Sequence, residues 1–148
     1  PEEGLREFRA EEISFAYKET SIVRGGWIIA LVALAWSDGD PAAIARRMEE
    51  IAQTRAGKHH FDYPSCGSVF KNDHARNIQA GRLIDSLGLK GLTEGGAKVA
   101  DFHANFILNT GNATARDVLA LIERIERIVM ERTGIALERE VKIAGKFV

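Results

Sequence analysis

Cysteine is almost absent from this chain. Cys66 is the only one in 148 residues, which excludes an internal disulfide and a cysteine-rich metal site and favours a reducing compartment. An excess of charge is missing too. Twenty Lys and Arg stand against 21 Asp and Glu, for a net charge of -1, so no global field draws the chain to nucleic acid or to an anionic membrane, and neither is expected as a partner. Any anion it binds must be held by local donors. No apolar run reaches membrane-spanning length: the longest, Trp27 to Trp36, has ten residues, where a spanning helix needs about 20. A signal-peptide pattern is absent, and the first residue is Pro1 rather than Met, from which a missing upstream segment is expected. Internal repeats and low-complexity stretches are absent as well.

What remains is the composition of a folded chain. With 45% hydrophobic and 28% charged residues, one domain, or one domain plus part of another, can bury its own core. Residues 1–20 are charged and weakly patterned. After the Gly25-Gly26 turn signal, Trp27 to Trp36 reads as a buried strand. Asp40 and Pro41 then supply a cap and a first helical residue for a helix to about Thr54, with Ile44, Met48 and Ile51 along one stripe. Residues 55–78 are rich in Gly, His, Asp and Asn and read as loop, a composition that often carries sites, with a short strand at Ser68 to Lys71. A short helix fits Gln79 to Leu87, and a strand fits Asn105 to Leu108. The clearest element starts at Thr114, an N-cap with Asp117 three residues on, and carries Val118, Leu121, Ile122, Ile125, Ile128 and Val129 at helical spacing up to Gly134. A last strand, Leu137 to Ile143, alternates: Leu137, Val141 and Ile143 face the core, and Glu138, Glu140 and Lys142 face the other way. The pattern predicts an α+β fold, a mixed sheet packed with helices on one side.

The loop contains Tyr63-Pro64-Ser65-Cys66-Gly67-Ser68-Val69-Phe70-Lys71-Asn72. Behind it, in order, come Ala80-Gly81-Arg82-Leu83-Ile84-Asp85, Gly88-Leu89-Lys90-Gly91, Gly95-Gly96-Ala97, His103-Ala104-Asn105-Phe106-Ile107-Leu108-Asn109, Gly111-Asn112-Ala113-Thr114 and Leu137-Glu138-Arg139-Glu140-Val141. Together with Phe15-Ala16-Tyr17-Lys18 upstream, these segments resemble the C-terminal portion of the bacterial UDP-N-acetylenolpyruvoylglucosamine reductases (UDP-N-acetylmuramate dehydrogenases). The likeness covers nearly the whole chain. The family's N-terminal flavin-binding half, with its glycine-rich pyrophosphate loop, has no counterpart here. The resemblance therefore implies that residues 1–54 are the tail end of a flavin-binding domain and residues 55–148 a C-terminal substrate-binding domain. It also implies FAD held mostly by the N-terminal half, NADPH as reductant, and UDP-N-acetylglucosamine enolpyruvate as substrate. That N-terminal half is the expected protein partner, and the bacterial cytoplasm the expected location.

In the family, reduced flavin delivers a hydride to the enolpyruvyl C3 and the resulting enolate is protonated at C2. The protein must stabilise developing negative charge and supply a proton. By motif position Ser68 is the proton donor. A hydroxyl is a poor acid in water and serves only where a cation and hydrogen bonds stabilise its alkoxide. Without the surrounding matches, Gly67-Ser68 would read as a turn serine bonded to its own backbone. Glu140 matches the family's active-site glutamate, and Glu138 sets a second carboxylate on the same face at roughly 7 Å, a neighbour that tends to raise one pKa. A solvated edge strand with alternating charges is the other reading. Tyr17-Lys18 matches a Tyr-Arg pair whose arginine polarises the substrate carboxylate. Lysine brings the charge without the planar fork.

For the diphosphate, Asn72 matches a family contact, and either Arg55 or Lys58, with Lys58 favoured, occupies the position of a basic substrate-binding residue. His103 falls where some members use a glutamine. Asn105 lies on the same side of an extended segment, and Lys142 shares the face of Glu140; all three are substrate-contact candidates. His59-His60 lacks a carboxylate or cysteine at ligand spacing, so no metal is expected. Cys66 reads as a small packed residue rather than a nucleophile. Two other classes stand beside the reductase reading: a UDP-sugar-binding module without catalysis, and a Ser-His hydrolase built on Ser68. The hydrolase reading lacks a G-x-S-x-G elbow.

Overall fold

Helix α4 (Ala115–Thr133) shows most directly how this sequence builds its core. Thr114 caps it: its hydroxyl accepts the Asp117 N–H at 3.1 Å, while the Asp117 carboxylate accepts the Thr114 N–H at 2.9 Å. This reciprocal pair satisfies two of the donors that every helix leaves open at its start. Leu121, Ile122, Ile125 and Val129 form its buried stripe, and Gly134, at φ 71°, closes it.

The computed structural model describes residues 4–145, which divide at Asp40 and Pro41 into two units. In the first unit a 3-10 turn, Ala10–Glu12, precedes a hairpin of β1 (Phe15–Ala16) and β2 (Glu19–Thr20), then the short helix α1 (Ser21–Arg24). Thr20 caps α1 by accepting the Val23 N–H, Ile22 is buried, and Trp27 meets Phe8 edge-on at 5.3 Å. The expected strand at Trp27 to Trp36 does not form: residues 27–40 have no regular structure, and Ile28, Leu31 and Trp36 are 93%, 83% and 85% exposed. The composition is that of a strand buried on both faces, which exists only between neighbouring strands. None of the described residues supplies one.

The second unit contains α2 (Pro41–Gly57), β3 (Ser65–Ser68), α3 (Ala80–Ser86), β4 (Thr93–Glu94), β5 (Ala97–Val99), β6 (Phe106–Asn109) and α4. Helix α2 starts at Pro41 as the cap signals predicted and runs past Thr54 to Gly57, but Ile44, Met48 and Ile51 are all exposed. The four-stranded sheet has the order β3-β6-β5-β4. The fold is α+β, as expected; within the sheet every described pairing is antiparallel rather than of mixed sense. Ala97, Val99 and Ile107 join Ile84 of α3, the α4 stripe, Val69 and Phe70 in one buried cluster, against which Leu137 and Val141 also pack.

Two strands differ from the sequence reading. The regular strand predicted at Ser68 to Lys71 lies instead at Ser65–Ser68, because the pairing with β6 ends at Ser68 and Phe106, where β6 begins, and Phe70 makes only an isolated bridge to Arg139. Leu137 to Ile143 is likewise extended only around that bridge, and Ile143 is 47% exposed. The parity survives where it matters, since Leu137 and Val141 do reach the core.

The Gly95-Gly96 turn between β4 and β5 sits against the start of α4. A Cβ on Gly96 would lie 2.4 Å from the Ala113 nitrogen and 2.5 Å from Asn112 Oδ1. Backbone cannot yield cheaply at such a distance, so Gly96→Ala is expected to destabilise the protein by about 1–3 kcal/mol in urea unfolding. Asp117 closes the same junction. Its carboxyl is held below the ordinary carboxylate range, first by the Thr114 N–H, then by the Gly96 N–H and the Thr114 hydroxyl. A depressed folded pKa means stability that is present above the unfolded value, about 3.9, and lost as pH falls through the folded one. Asp117→Asn is therefore expected to lower Tm at pH 7, with the gap to wild type closing below about pH 4. A gap that stays constant in acid would show that the charge contributes nothing.

Candidate functional site

Residues 69–71, just past β3, lie between the start of β6 and the C-terminal segment and bond to both. On one edge the Val69 N–H donates to the Asn105 carbonyl at 2.9 Å. The next two backbone groups go to a side chain: Asn105 Oδ1 accepts the Phe70 N–H, and Asn105 Nδ2 donates to the Phe70 carbonyl, both at 2.9 Å. On the other edge the Lys71 N–H donates to the Glu138 carbonyl and the Glu140 N–H to the Val69 carbonyl, each at 2.8 Å. The Val69 carbonyl also accepts the Val141 N–H at 3.4 Å. Two successive donors on one acceptor is the arrangement of a β-bulge, which ends a regular ladder and re-aims its side chains.

Ser68, half-buried, stands opposite Phe106 of β6; Glu140, also half-buried, stands beside Val69. Their backbones thus occupy neighbouring rungs although 72 positions separate them in sequence. In an unbroken ladder neighbouring rungs face opposite ways. Here alternation is interrupted on both flanks, by the bulge at Glu140 and Val141 and by Gly67, at φ 76°, with the register shift before Ser68.

Charged partners fix this arrangement. Lys71 Nζ donates to Glu138 Oε1 at 2.5 Å, so the carboxylate expected to repel Glu140 is already answered by an ammonium. Arg139 donates from Nε and Nη2 to the two Glu126 oxygens, both at 2.6 Å, tying the C-terminal segment to α4. Sequence reasoning missed Arg139, although it shares the parity of Leu137 and Val141, and that was the available signal.

The remaining candidates have definite surroundings. Asn72 Oδ1 accepts the Ala80 N–H at 3.0 Å and so closes the start of α3. Asn105 is 4% exposed, and the amide offered to a substrate in the sequence reading is bonded to the Phe70 peptide. His103 is exposed, with its ring 4.9 Å from Phe106; partial desolvation holds its pKa below the usual value, and its Nδ1 accepts the Asn105 N–H at 3.2 Å. A neutral imidazole suits that acceptor role. Arg55 and Lys58 both line a shallow groove of about 280 Å³ at the end of α2, beside Arg47, Ile51 and His60. Lys142 is exposed beyond the bulge.

His60 stacks on Phe106 at 5.4 Å, whereas His59 Nδ1 lies 2.7 Å from Asp62 Oδ2. Cys66 is exposed rather than packed; desolvation nonetheless pushes its thiol pKa up, which leaves it a weak nucleophile at neutral pH. In the first unit, Tyr17 and Lys18 form the turn between β1 and β2. Lys18 adopts φ 57°, uncommon for a non-glycine residue, with its ammonium 6.0 Å from the Tyr17 ring centroid.

The family model for the UDP-N-acetylenolpyruvoylglucosamine reductase C-terminal domain matches residues 59–144. The reductase of Caldanaerobacter subterraneus subsp. tengcongensis is 43% identical over 136 residues, which is 92% of this chain and 44% of that protein. UDP-N-acetylenolpyruvoylglucosamine reductase 2 of Symbiobacterium thermophilum is 46% identical over 134 residues, 90% of this chain and 43% of that one. The crystal structure of the reductase from Thermus caldophilus superposes with a TM-score of 0.65 at 39% identity, covering 88% of this chain and 46% of that one. The chain spans about half the length of the curated relatives it matches. By its matched domain and these relatives, it belongs to the UDP-N-acetylenolpyruvoylglucosamine reductase family, of which it carries the C-terminal domain.

Proposed function

We propose that this chain is the substrate-holding and proton-donating part of a UDP-N-acetylmuramate dehydrogenase. The complete enzyme would use FAD and NADPH to reduce UDP-N-acetylglucosamine enolpyruvate to UDP-N-acetylmuramate for peptidoglycan, in the bacterial cytoplasm. Residues 1–54 are read as the end of the flavin-binding domain and 55–148 as the substrate-binding domain. The observation that carries this reading is the 2.8 Å bond from the Glu140 N–H to the Val69 carbonyl, which draws the family's two proton-handling positions onto adjacent rungs.

Among the described residues no glycine-rich turn leads into a helix N-terminus of the kind that cradles a dinucleotide pyrophosphate. The pyrophosphate cradle and hydride delivery are therefore assigned to none of the described residues. What remains is the work of this chain. The Ser68 hydroxyl passes its proton to C2 of the enolate, and Glu140, in its acid form, donates a hydrogen bond to the enolate oxygen, so that charge is stabilised where it develops. By motif, the Lys18 ammonium beside Tyr17 holds the substrate carboxylate. Asn72 and Lys58, with Arg55 in the same groove, serve the diphosphate, and His103 and Lys142 are further contacts.

Joining the chain to the N-terminal half of a relative tests this directly. The expected product binds flavin and oxidises NADPH only when the enolpyruvyl substrate is present. A folded, flavin-loaded product that ignores the substrate would overturn the reading. Because the chain is about half the length of its relatives, a second reading holds for the chain by itself: a UDP-sugar-binding module with no activity. Calorimetry with UDP-N-acetylglucosamine, and flavin absorbance of the purified chain, separate the two.

A further inference from the structure

We infer that Asn105 is a positioning residue: its side-chain amide replaces a missing rung of β6 and thereby fixes the backbone that carries Ser68 relative to the one that carries Glu140. The inference rests on the functional reading given above. Regular pairing between β3 and β6 reaches Ser68 and Phe106 and stops. One residue further, the Val69 N–H still finds the Asn105 carbonyl, but β6 has no peptide left to serve Phe70. The Asn105 side chain fills that gap, accepting from one Phe70 backbone group and donating to the other, as a strand residue would.

The opposite edge of residues 69–71 carries Glu138 and Glu140. Asn105 therefore holds one edge of a three-residue segment whose other edge sets the height of Glu140. Asn105 is 4% exposed, and two buried backbone groups depend on its amide. At neutral pH no other residue type provides one donor and one acceptor in the plane of a peptide at this reach; glutamine carries the same groups on an arm one carbon longer.

Asn105→Asp tests the inference, because it keeps the shape and the acceptor while losing the donor. At neutral pH a carboxylate oxygen faces the Phe70 carbonyl. When protonated, the same group donates to it again. In the chain joined to the N-terminal half of a relative, kcat is expected to fall about 100-fold at neutral pH, the cost of displacing a reacting group by about 1 Å. KM should change by less than about threefold, since the loss is in the transition state rather than in binding. As pH is lowered, the ratio of variant to wild-type kcat should climb back. Asn105→Leu should lose as much and recover nothing, and Asn105→Gln should fall between.

Amide exchange in the 148-residue chain gives a readout independent of activity and of full folding in every variant. Phe70 N–H should exchange fast in Asn105→Asp while Ile125 N–H, inside α4, stays protected. Fast Phe70 exchange with unchanged kcat would overturn the inference, as would a loss of kcat in Asn105→Asp that acid does not reverse. If Ile125 also loses protection in every variant, Asn105 is a plain stability residue and the inference fails. Should Ser68→Ala turn over normally, the functional reading fails instead, and the exchange result for Phe70 still stands.

Discussion

Ser68→Ala, made in the chain joined to the N-terminal half of a relative, is expected to lower kcat by about 100- to 10,000-fold, the range for loss of a positioned proton donor. KM should hardly move, because in the proposed role the hydroxyl works only as the enolate forms. A serine hydroxyl at neutral pH is a poor acid in water, so the effect can be large only if its alkoxide is stabilised where it stands. The local structure supports such a role. Ser68 is half-buried, and the strand that follows it is held on both edges, by Asn105 and by the Glu138-to-Val141 segment. The alternative is a serine bonded to its own turn, for which alanine would cost little. Full turnover in a folded Ser68→Ala enzyme would remove Ser68 from the chemistry.

The parts of the fold that could be read from sequence are those fixed by neighbours in sequence. Helix α4 follows from Thr114, Asp117 and an apolar spacing of three and four, all local signals, and its ends fall where they were expected. Helix α3 falls within one residue of its expected ends for the same reason. Trp27 to Trp36 failed because its composition specifies a strand only when other strands flank it, and composition says nothing about who they are. The candidate site was legible in another way. Its motif residues were picked out by resemblance, whereas the contacts that organise them span long separations. Asn105 reaches Phe70 across 35 positions and Lys71 reaches Glu138 across 67. Neither contact leaves a local pattern. Arg139 was partly readable, since parity puts it on the core side, where a guanidinium must find a carboxylate. The pattern alone could not say that the carboxylate would be Glu126.

Phe70→Ala is expected to cost about 3–5 kcal/mol in urea unfolding, the ordinary price of emptying an aromatic site in a packed core. Phe70 is 1% exposed and packs in the cluster formed by α3, α4 and the sheet. Its peptide is bonded to Asn105, and its bridge partner is Arg139. Phe70→Leu, which keeps most of the volume, should lose less than about 1.5 kcal/mol. Arg139→Met provides the contrast. Its bidentate bond to Glu126 is partly exposed, with the two side chains 28% and 25% accessible, and it anchors a segment rather than filling the core. Losing it should leave the urea midpoint nearly in place and act locally, raising amide exchange at Glu140 well before the core residues respond. If Phe70→Ala and Arg139→Met instead shifted the midpoint equally, the C-terminal segment would be part of the cooperative core, and the proposed acid group would ride on the global stability of the fold. If only Phe70→Ala shifts it, Ser68 and Glu140 stand on supports of different strength. The serine side is then fixed by the core, whereas the glutamate side leans also on the Arg139–Glu126 and Lys71–Glu138 ion pairs and on backbone bonds to Val69 and Lys71, so the glutamate side is the one able to adjust when substrate arrives.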